Sequence, residues 1–534
     1  MTWVVVVADK VGDTGLAILR DTPGVELVMA AGDPAALVRE LPRAQALLVR
    51  SDTLVTAAVI ERAPHLHVIA RAGIGVDNID IEAATRRGIA VLNAPGANTV
   101  SAAEHAIGLL LALVRRIPWA ADSMRQGRWD RKAFSGTELR GKALGIVGLG
   151  RIGAHISAVA RAFGMRVLAH DPYLAEQRAR ELRVELMALD DLLREADVIT
   201  LHLPLSEATR HLIDRRRLQL MKPTAVLVNT ARGELVDETA LVEALEAGTI
   251  AGAAVDVFAE EPLPERSPLR SCERLILTPH LAASTTEAQE RVAVEICSAL
   301  RDALITGDIG GAVNVPGVSG EAMARLRPLL ELARRLGRLA ASIARGPVQA
   351  LEVHYGGEDD EAPRPATLAA VEGALMAMGV GPVSLVNAMT LAKERAIAVS
   401  RRAGAPARGF ETTVGVTVQT DDRSTTVVGA LIGDRIRVGR LVRIDQFAVD
   451  VPAEGFILVL RNHDVPGVIG RVGTVLGEAA INIGSYHQSR RADGQGEALA
   501  AIILGQHPGA EIVSRLEALP DVTEVRVAAL EGAL

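Results

Sequence analysis

The sequence predicts an α/β protein in which two Rossmann-like lobes with doubly wound parallel sheets precede an α+β domain and a ferredoxin-like βαββαβ domain. Three observations support this fold class. Short apolar strands alternate with helical patterns over roughly the first 288 residues, which is typical of parallel sheets. A glycine-rich βαβ unit lies within that region at residues 142–171. From Phe456 onward, the pattern changes to short alternating strands and two helices.

Composition sets the outer limits. A chain of 534 residues corresponds to three or four domains. With 49% hydrophobic and 23% charged residues it is typical of a soluble globular protein. A net charge of -7 and an aromatic content of only 2% argue against binding to nucleic acids or membrane surfaces.

The two cysteines, Cys272 and Cys297, lack the spacing of metal ligands, so the sequence predicts no metal site and indicates a reducing compartment. The N-terminus reads as a first strand, without a charged leader or cleavage site. The longest apolar run is far too short to span a bilayer. We therefore expect a cytoplasmic protein.

The predicted strands of the first lobe are followed by residues that suit an anionic ligand. The strand at residues 46–49 is followed by Arg50 and Ser51, and the strand at residues 68–70 by Arg71 and Gly73. Asn98 closes the loop after the strand at residues 90–92. Ligands of parallel sheets bind at the carboxyl ends of the strands. We expect these residues to bind an anionic substrate, although each arginine taken alone could be a solvated surface charge.

A long apolar helix connects the two lobes. Ser101 and Glu104 have the spacing of a capping box, which predicts that the helix begins there and continues to about Arg115. The helix is apolar on several faces, so it is either deep core or a subunit interface.

The glycine-rich unit predicts a dinucleotide site. Gly148 allows a tight turn after the strand, Gly150 lets a pyrophosphate approach the backbone, and Gly153 lets helix and strand pack closely. The following helix directs its unpaired N–H groups at the phosphates. Asp171 ends the second strand, where it can accept hydrogen bonds from a ribose. A 2′-phosphate beside this carboxylate would be repelled, so NAD is favoured over NADP.

Three residues at or just beyond strand ends of the second lobe suit the oxidation of a 2-hydroxy acid: Arg232, Glu261 and His280. A guanidinium can bind the substrate carboxylate in a bidentate manner. A histidine can remove the hydroxyl proton as hydride leaves. A carboxylate partner orients that histidine and favours its protonated form. Each residue has a structural alternative, but their common position beside a dinucleotide motif indicates catalysis.

At these residues the chain resembles the D-isomer-specific 2-hydroxyacid dehydrogenases. The segments GLGRIG, NTARGELVDE, DVFAEEP and TPHLAAST are similar to signatures of that family, in order and in spacing. Within the family, RAGIGVDNID, NAPGANTVSAAEH and FSGTEL are similar to segments of its long members, which act on 3-phosphoglycerate. NHDVPGVIGRVGTVLG and INIG resemble the start of a terminal ACT domain.

The resemblance implies NAD as cofactor and 3-phosphoglycerate as substrate, which is oxidised in the first step of serine synthesis. It implies the catalytic set Arg232, Glu261 and His280. It also implies an NAD site lined by Arg151, Ile152, Asp171, Thr230, Ala231, Arg232, Asp256 and His280. Arg50, Arg71 and Asn98 would hold the substrate. Arg131 or Lys132 would reach the phosphate in a neighbouring subunit.

For the C-terminal part, the resemblance implies regulation by L-serine through paired ACT domains. Asp464 and Asn482 match the positions expected to contact serine, and Asn462 stands where relatives often carry a ring. A homo-oligomer is expected, either a dimer through the Ser101 helix or a tetramer that also uses ACT pairing. The segment at residues 435–443 carries four arginines, which indicates either a solvated sheet face or an anion site.

The predicted domains are a discontinuous substrate-binding domain (1–97 and 289–314), an NAD-binding Rossmann domain (98–288), an intervening domain (315–454) and an ACT domain (455–534). Two other functions remain open at this point. One is a dehydrogenase for hydroxypyruvate, glyoxylate or another phosphorylated hydroxy acid. The other is an NAD-sensing scaffold or corepressor with the same fold.

Overall fold

The structure, a computed structural model, describes residues 2–315, 320–433, 437–491 and 496–531, with side chains left out at 320, 321 and 324. The sequence also predicts a hairpin about residues 492–496, of which only residue 496 lies within these ranges. Arg435 of the arginine-rich segment lies outside them. None of the described helices combines the length and apolar character needed to cross a membrane. Within the same ranges, no three His, Cys, Asp or Glu side chains come together as a metal site would require.

The first lobe is a five-stranded parallel sheet with strand order β2-β1-β3-β4-β5. Its strands are β1 (Trp3–Val7), β2 (Val25–Met29), β3 (Ala46–Val49), β4 (Val68–Arg71) and β5 (Ala90–Leu92). Its helices are α1 (Asp13–Arg20), α2 (Pro34–Glu40), α3 (Ala57–Glu61) and α4 (Ile81–Arg86). The periodicity had not identified β2, which lies at the sheet edge and is only half-buried because Glu26 interrupts its apolar residues.

The helix between the lobes, α5 (Thr99–Val114), begins two residues earlier than the capping box implied. Asn98 precedes it, and Ser101 is its third residue, so the predicted N-cap role of Ser101 is wrong. The Ser101 hydroxyl instead shares a 2.7 Å hydrogen bond with the hydroxyl of Thr285. The Ser101 side chain therefore binds a residue far along the chain and does not cap its own helix. A second helix, α6 (Ile117–Arg125), follows directly.

The second lobe is a seven-stranded parallel sheet with strand order β12-β11-β10-β9-β6-β7-β8. Its strands are β6 (Ala143–Val147), β7 (Arg166–His170), β8 (Glu185–Leu186), β9 (Val198–Leu201), β10 (Val226–Asn229), β11 (Gly252–Val255) and β12 (Leu275–Leu277). Its helices are α7 (Arg151–Ala162), α8 (Glu176–Leu182), α9 (Leu189–Glu195), α10 (Arg215–Leu220) and α11 (Glu238–Glu246). The strand order reverses between β6 and β9, which is where such sheets bind dinucleotides.

The long helix α12 (Thr286–Thr306) leaves the second lobe and packs on the first. Its Thr285 cap accepts a hydrogen bond from the amide of Ala288. Ile296, Cys297 and Leu300 are fully buried in the same hydrophobic core as the first sheet. This packing holds the two sheets side by side, with their ligand-binding edges across a cleft from each other.

The third sheet has six strands in the order β14-β13-β15-β16-β17-β18 and is mostly antiparallel. Its strands are β13 (Val348–Gly356), β14 (Ala398–Gly404), β15 (Thr413–Thr420), β16 (Ser424–Ile432), β17 (Val438–Ile444) and β18 (Phe447–Pro452). The helices α13 (Gly320–Ile343), α14 (Pro363–Ala377) and α15 (Ala388–Glu394) accompany it. Arg440 on β17 is paired with Asp450, as expected of a solvated sheet face.

The last sheet has the order β20-β21-β19-β22 and carries two helices, in the predicted βαββαβ sequence. Its elements are β19 (Phe456–His463), α16 (Val468–Glu478), β20 (Ile483–Arg490), β21 (Glu497–Leu504), α17 (Gly509–Glu517) and β22 (Val522–Ala529). The sheet topologies confirm the predicted fold class from the first lobe to this last unit.

Candidate active site

Three adjacent parallel strands bring the predicted catalytic residues to one sheet edge. Arg232 follows β10, Asp256 follows β11 directly, and His280 follows β12. The turn at Gly233 lies directly against the backbone of Phe258, which leaves no room for a side chain. Glu261 is thereby held in the next turn of the same edge.

His280 and Glu261 form a hydrogen-bonded pair. Nδ1 of His280 lies 2.8 Å from Oε2 of Glu261. The other carboxylate oxygen of Glu261 accepts the amide of Phe258 at 3.0 Å. Because a carboxylate accepts and does not donate, Nδ1 carries the hydrogen, and Nε2 points away from the pair. The side chains are 50% and 37% exposed, so a substrate can reach them.

The environment keeps Glu261 ionised. Burial acts to raise the pKa of its carboxyl group, but the hydrogen bonds from His280 and from the Phe258 amide outweigh burial and lower this pKa.

Asp256 is fully buried beneath the loop that carries His280. One oxygen accepts the amide of Leu281 at 2.8 Å, and the other accepts the amide of Ala282 at 2.9 Å. The hydroxyl of Thr278 also donates to the first of these oxygens, Oδ1, at 2.5 Å, and Nε2 of His105 lies 3.1 Å from the same atom. Burial acts to raise the pKa of Asp256, but these hydrogen bonds lower it overall. The carboxylate of Asp256, a predicted NAD contact, is thus engaged with the loop that carries His280.

Arginines of both lobes meet in the cleft. Arg71 and Arg232 are close enough that the positive charge of Arg232, second to burial, lowers the pKa of Arg71, with a smaller contribution from Arg50. Nε of Arg232 is paired with Asp77 at 3.0 Å. The guanidinium of Arg71 lies against Gly73, and its Nε is buried without a hydrogen-bond partner among the described residues. The cleft therefore favours an anion.

Supporting residues in the first lobe were missed by the sequence reasoning. Asp9 is buried and accepts the amide of Arg50 at 2.6 Å and the hydroxyl of Thr53 at 2.6 Å. The side-chain amide of Asn78 donates to the backbone carbonyls of Arg50 and Thr53, both at 2.7 Å. These contacts fix the loop of Arg50. The only sequence signal for Asp9 was its position after the first strand, and Asn78 had none.

The other predicted substrate residues fall into two groups. Asn98 has a buried side-chain oxygen with no hydrogen-bond partner among the described residues, as expected of a group that awaits a ligand. Ser51 is exposed and donates to Asp52 at 3.2 Å. Arg131 and Lys132 are exposed on a 3-10 turn (Arg131–Phe134), outside the group formed by the cleft arginines.

The glycine-rich turn fits a pyrophosphate. Gly148 has a φ of 93°, and a side chain there would lie 2.6 Å from the carbonyl oxygen of His202. A side chain at Gly153 would collide with the carbonyl of Gly148. The space beside Gly150 is open, and this residue caps α7 without using a side chain. The first backbone amides of α7, those of Arg151 and Ile152, thus point to the position where a phosphate would bind.

The remaining predicted cofactor residues surround this turn and the end of β10. Asp171 accepts the amide of Leu149 at 2.9 Å and that of Tyr173 at 3.0 Å, which ties the turn to the end of β7. Thr230 has a buried hydroxyl without a partner among the described residues. Ala231 donates its amide to Asn229 at 3.1 Å.

In the last sheet, Asp464 is paired with Arg490 at 2.9 Å, whereas the Asn482 side chain is exposed. Asn462 is buried, and its side-chain amide donates to the carbonyl of His463 at 2.6 Å. Its side-chain oxygen has no partner among the described residues. Within one chain the two predicted effector residues lie at opposite ends of the sheet: Asp464 follows β19 beside the start of β21, whereas Asn482 precedes β20 beside the end of β21. Asn462 lies at the end of Asp464.

Three segments of the chain match known protein families. Residues 107–282 match the NAD binding domain of the D-isomer specific 2-hydroxyacid dehydrogenases. Residues 325–445 match the D-3-phosphoglycerate dehydrogenase intervening domain, and residues 456–521 match the ACT domain.

Nearly full-length relatives carry one name. The chain is 41% identical to the D-3-phosphoglycerate dehydrogenase of Synechocystis over 94% of this chain and 90% of the relative. It is 38% identical to that of Methanocaldococcus jannaschii over 98% and 99% of the two chains.

Solved structures resemble the two lobes. The D-lactate dehydrogenase of Aquifex aeolicus, complexed with NAD and lactic acid, is 30% identical and has a TM-score of 0.51 over 57% of this chain and 96% of that one. An NAD-dependent formate dehydrogenase of Staphylococcus aureus in complex with NAD is 31% identical and has a TM-score of 0.52 over 57% and 96%.

The glycine-rich turn, the His280–Glu261 pair and the cleft arginines thus occur in a chain that is similar to D-3-phosphoglycerate dehydrogenases over almost its whole length. The cofactor is NAD, and the chain is an NAD-dependent oxidoreductase. It belongs to the D-3-phosphoglycerate dehydrogenases, within the D-isomer-specific 2-hydroxyacid dehydrogenase family.

Proposed function

We propose that the protein oxidises 3-phospho-D-glycerate to 3-phosphohydroxypyruvate, the first step of L-serine biosynthesis. The observation that carries this proposal is the 2.8 Å pair of His280 and Glu261 at the strand ends of the NAD domain. The name of the relatives supports the choice of substrate. NAD, when bound, supplies the hydride acceptor.

In this proposal His280 is the general base. Its Nδ1 donates to Glu261, which leaves Nε2 to accept the proton of the substrate hydroxyl as the C2 hydrogen departs as hydride. Glu261 fixes the orientation of the ring and stabilises the imidazolium that forms. General base catalysis of this kind contributes about 10²–10⁴-fold to the rate.

Arg232 is proposed to bind the substrate carboxylate, with Arg50, Arg71 and Asn98 as further substrate contacts. A carboxylate and a phosphate would together offset the positive charges that face each other in the cleft. Arg131 or Lys132 would contact the phosphate in a partner subunit. The exposed position of both residues supports this role.

On the cofactor side, the amides that begin α7 would bind the pyrophosphate, and Asp171 would accept hydrogen bonds from the ribose. Thr230 offers a buried hydroxyl to the cofactor. The carboxylate of Asp171 would repel a 2′-phosphate, which favours NAD over NADP.

The decisive assay measures NADH formation from 3-phosphoglycerate, with glycerate, hydroxypyruvate and glyoxylate as competing substrates. His280→Ala is expected to abolish turnover while NAD still binds, as followed by NADH fluorescence titration. Retained turnover in this variant would refute the base assignment. NAD binding without turnover of any of these substrates by the unaltered protein would favour a sensor or scaffold.

We further propose that L-serine inhibits the enzyme by binding between paired ACT domains, to which Asp464 and Asn482 would each contribute a contact. Asp464→Ala should leave uninhibited turnover unchanged and remove inhibition by serine. An unaltered enzyme that ignores millimolar serine would contradict the regulatory part alone. The domain division at residues 97/98, 288/289, 314/315 and 454/455, a homo-oligomer and a cytoplasmic location belong to the same proposal.

A further inference from the structure

We propose that His105 is a positioning residue for the reaction, because it anchors the loop that carries His280 through Asp256 and Thr278. The inference rests on the proposed role of His280 as the base. It adds a residue on α5 to the proposed catalytic residues, which lie on loops that follow β10, β11 and β12.

The loop of His280 needs to be held. His280 has a φ of 54°, in the left-handed region that residues with a side chain rarely adopt. Such a conformation persists only when surrounding contacts fix it. The amide of His280 donates to the carbonyl of Asp256 at 2.8 Å, and the carboxylate of Asp256 accepts the amides of Leu281 and Ala282. The loop is therefore wrapped around one buried aspartate.

His105 contacts this aspartate from another element. Its Nε2 lies 3.1 Å from Oδ1 of Asp256 and 3.2 Å from the hydroxyl oxygen of Thr278. Because Thr278 donates its own hydrogen to Asp256, both neighbours of Nε2 are acceptors, so Nε2 carries a hydrogen. The Nε2–H group of His105 thus connects α5 to both members of the Thr278–Asp256 hydrogen bond, which helps to fix the loop of His280.

The same helix is tied to this region a second time. The hydroxyl of Ser101, one turn earlier on α5, is hydrogen-bonded to that of Thr285, which caps α12 after the loop. The helix begins directly after Asn98, a predicted substrate contact. The Ser101–Thr285 and His105–Asp256 hydrogen bonds together set the distance between Asn98, before α5, and the base His280, after β12. A rotation or shift of α5 would displace His280 relative to the bound substrate.

A matched pair of variants separates positioning from mere packing. In His105→Gln, the side-chain nitrogen occupies the place of Nε2 and retains the N–H donor. In His105→Asn, the nitrogen occupies the place of Nδ1 and does not reach Asp256. We expect His105→Asn to lower kcat about 10- to 100-fold, since misplacement by about 1 Å can cost 10²-fold. KM for 3-phosphoglycerate and the Kd for NAD should stay within about twofold of the original values, and His105→Gln should restore most of kcat.

The hydride step gives a readout that a structural role would not change. With 3-phosphoglycerate deuterated at C2, the isotope effect on kcat should rise in His105→Asn and return toward the original value in His105→Gln. An unchanged kcat and isotope effect in His105→Asn would overturn the inference. Equal losses in both variants would also overturn it, because the Nε2 donor would then not be the property that matters.

Separate control experiments distinguish the role of His105 from a failure to fold and from a failure of the proposed function. If His105→Asn fails to fold, Thr278→Val, which removes the other partner of Nε2, decides: it should also lower kcat and raise the isotope effect, and normal values would refute the inference. An unaltered enzyme without turnover, or an active His280→Ala variant, would refute the proposed function. A fully active, folded His105→Asn variant beside an inactive His280→Ala variant would refute only the role of His105.

Discussion

Glu524 on β22 holds the last sheet against the third, and its replacement by glutamine tests how strongly. Its carboxylate is 7% exposed and accepts Nε of Arg345 at 2.8 Å. Both terminal nitrogens of Arg423 donate to it at 3.1 Å. Those two arginines belong to the third-sheet region, whereas Arg461 and Arg526, at 3.6 and 3.4 Å, belong to the last sheet. A single buried charge therefore joins guanidinium groups from both units.

The size of the effect follows from these contacts. A hydrogen bond to a charged group contributes about 1.5–3 kcal/mol and a neutral one about 0.5–1.5 kcal/mol, so three bonds lose about 3 kcal/mol when the charge is removed. Arg345 is 45% exposed and can regain water, which reduces the loss. We expect the opening of this interface to become easier by about 2 kcal/mol, which corresponds to about 30-fold.

The assay is amide hydrogen exchange at the junction of the two sheets. The amide of Ala453 donates to the carbonyl of Gly439 at 3.1 Å within the third sheet, in the segment that leads from β18 to β19. We expect this amide to exchange when the junction opens. Peptides that cover residues 449–456 should exchange about 30-fold faster in Glu524→Gln, the converted value of about 2 kcal/mol. Glu478→Gln is the matched control, because Glu478 is 59% exposed and its pair with Arg515 should contribute under about 1 kcal/mol. Equal exchange in both variants would refute the reasoning.

The same carboxylate gives this interface a pH dependence. Burial acts to raise the pKa of Glu524, but the hydrogen bonds from Arg345 and Arg423 lower it below the ordinary value of 4.5. A lowered folded-state pKa means that the stabilisation is present above about pH 4.5 and is lost as pH falls through the folded-state value. Acidification should therefore accelerate exchange at the junction in the unaltered protein and much less in Glu524→Gln. The same pH dependence in both would show that another group is responsible.

Two further perturbations address the cleft and the attachment of the third domain. Arg71→Gln should raise KM for 3-phosphoglycerate about 10- to 100-fold and leave the Kd for NAD unchanged, because it removes a charged hydrogen bond of about 1.5–3 kcal/mol from an anion site; initial rates that show an unchanged KM would contradict this. Asn387→Ala should lower the free energy of unfolding by about 1–3 kcal/mol, because it leaves the amide of Ser384 and the carbonyl of Arg86 without the buried side chain that now pairs with them. An unchanged melting temperature would refute that account.

The elements that the sequence predicted well are determined by residues close together in the chain. The strand ends at residues 49 and 92 were predicted to the residue, because a buried parallel strand is a short apolar run that ends at polar residues. The glycine-rich turn was equally predictable, since its backbone conformation requires glycine at Gly148. β2 was missed because an edge strand needs no continuous apolar run.

The errors and omissions at the site have non-local causes. Ser101 has a partner at Thr285, so a pattern that normally caps a helix serves a different contact. Asp77 and Asp9 are acidic loop residues with no pattern to distinguish them, yet one pairs with Arg232 and the other fixes the loop of Arg50. Asp256 was expected to contact the cofactor, but in the structure its carboxylate also supports the loop of His280.

By itself, the sequence determined the fold class and the dinucleotide motif, since periodicity and turn chemistry depend on neighbours along the chain, and it proposed the residue types of a catalytic set. Only the tertiary structure decided which polar atoms meet. His105 and Asp256 are 151 residues apart, and Arg345 and Glu524 are 179 apart. A lone histidine in a helix or a glutamate in a strand carries no local signal of such a partner. Packing of the sheets and helices brings these groups together, and burial makes their hydrogen bonds matter.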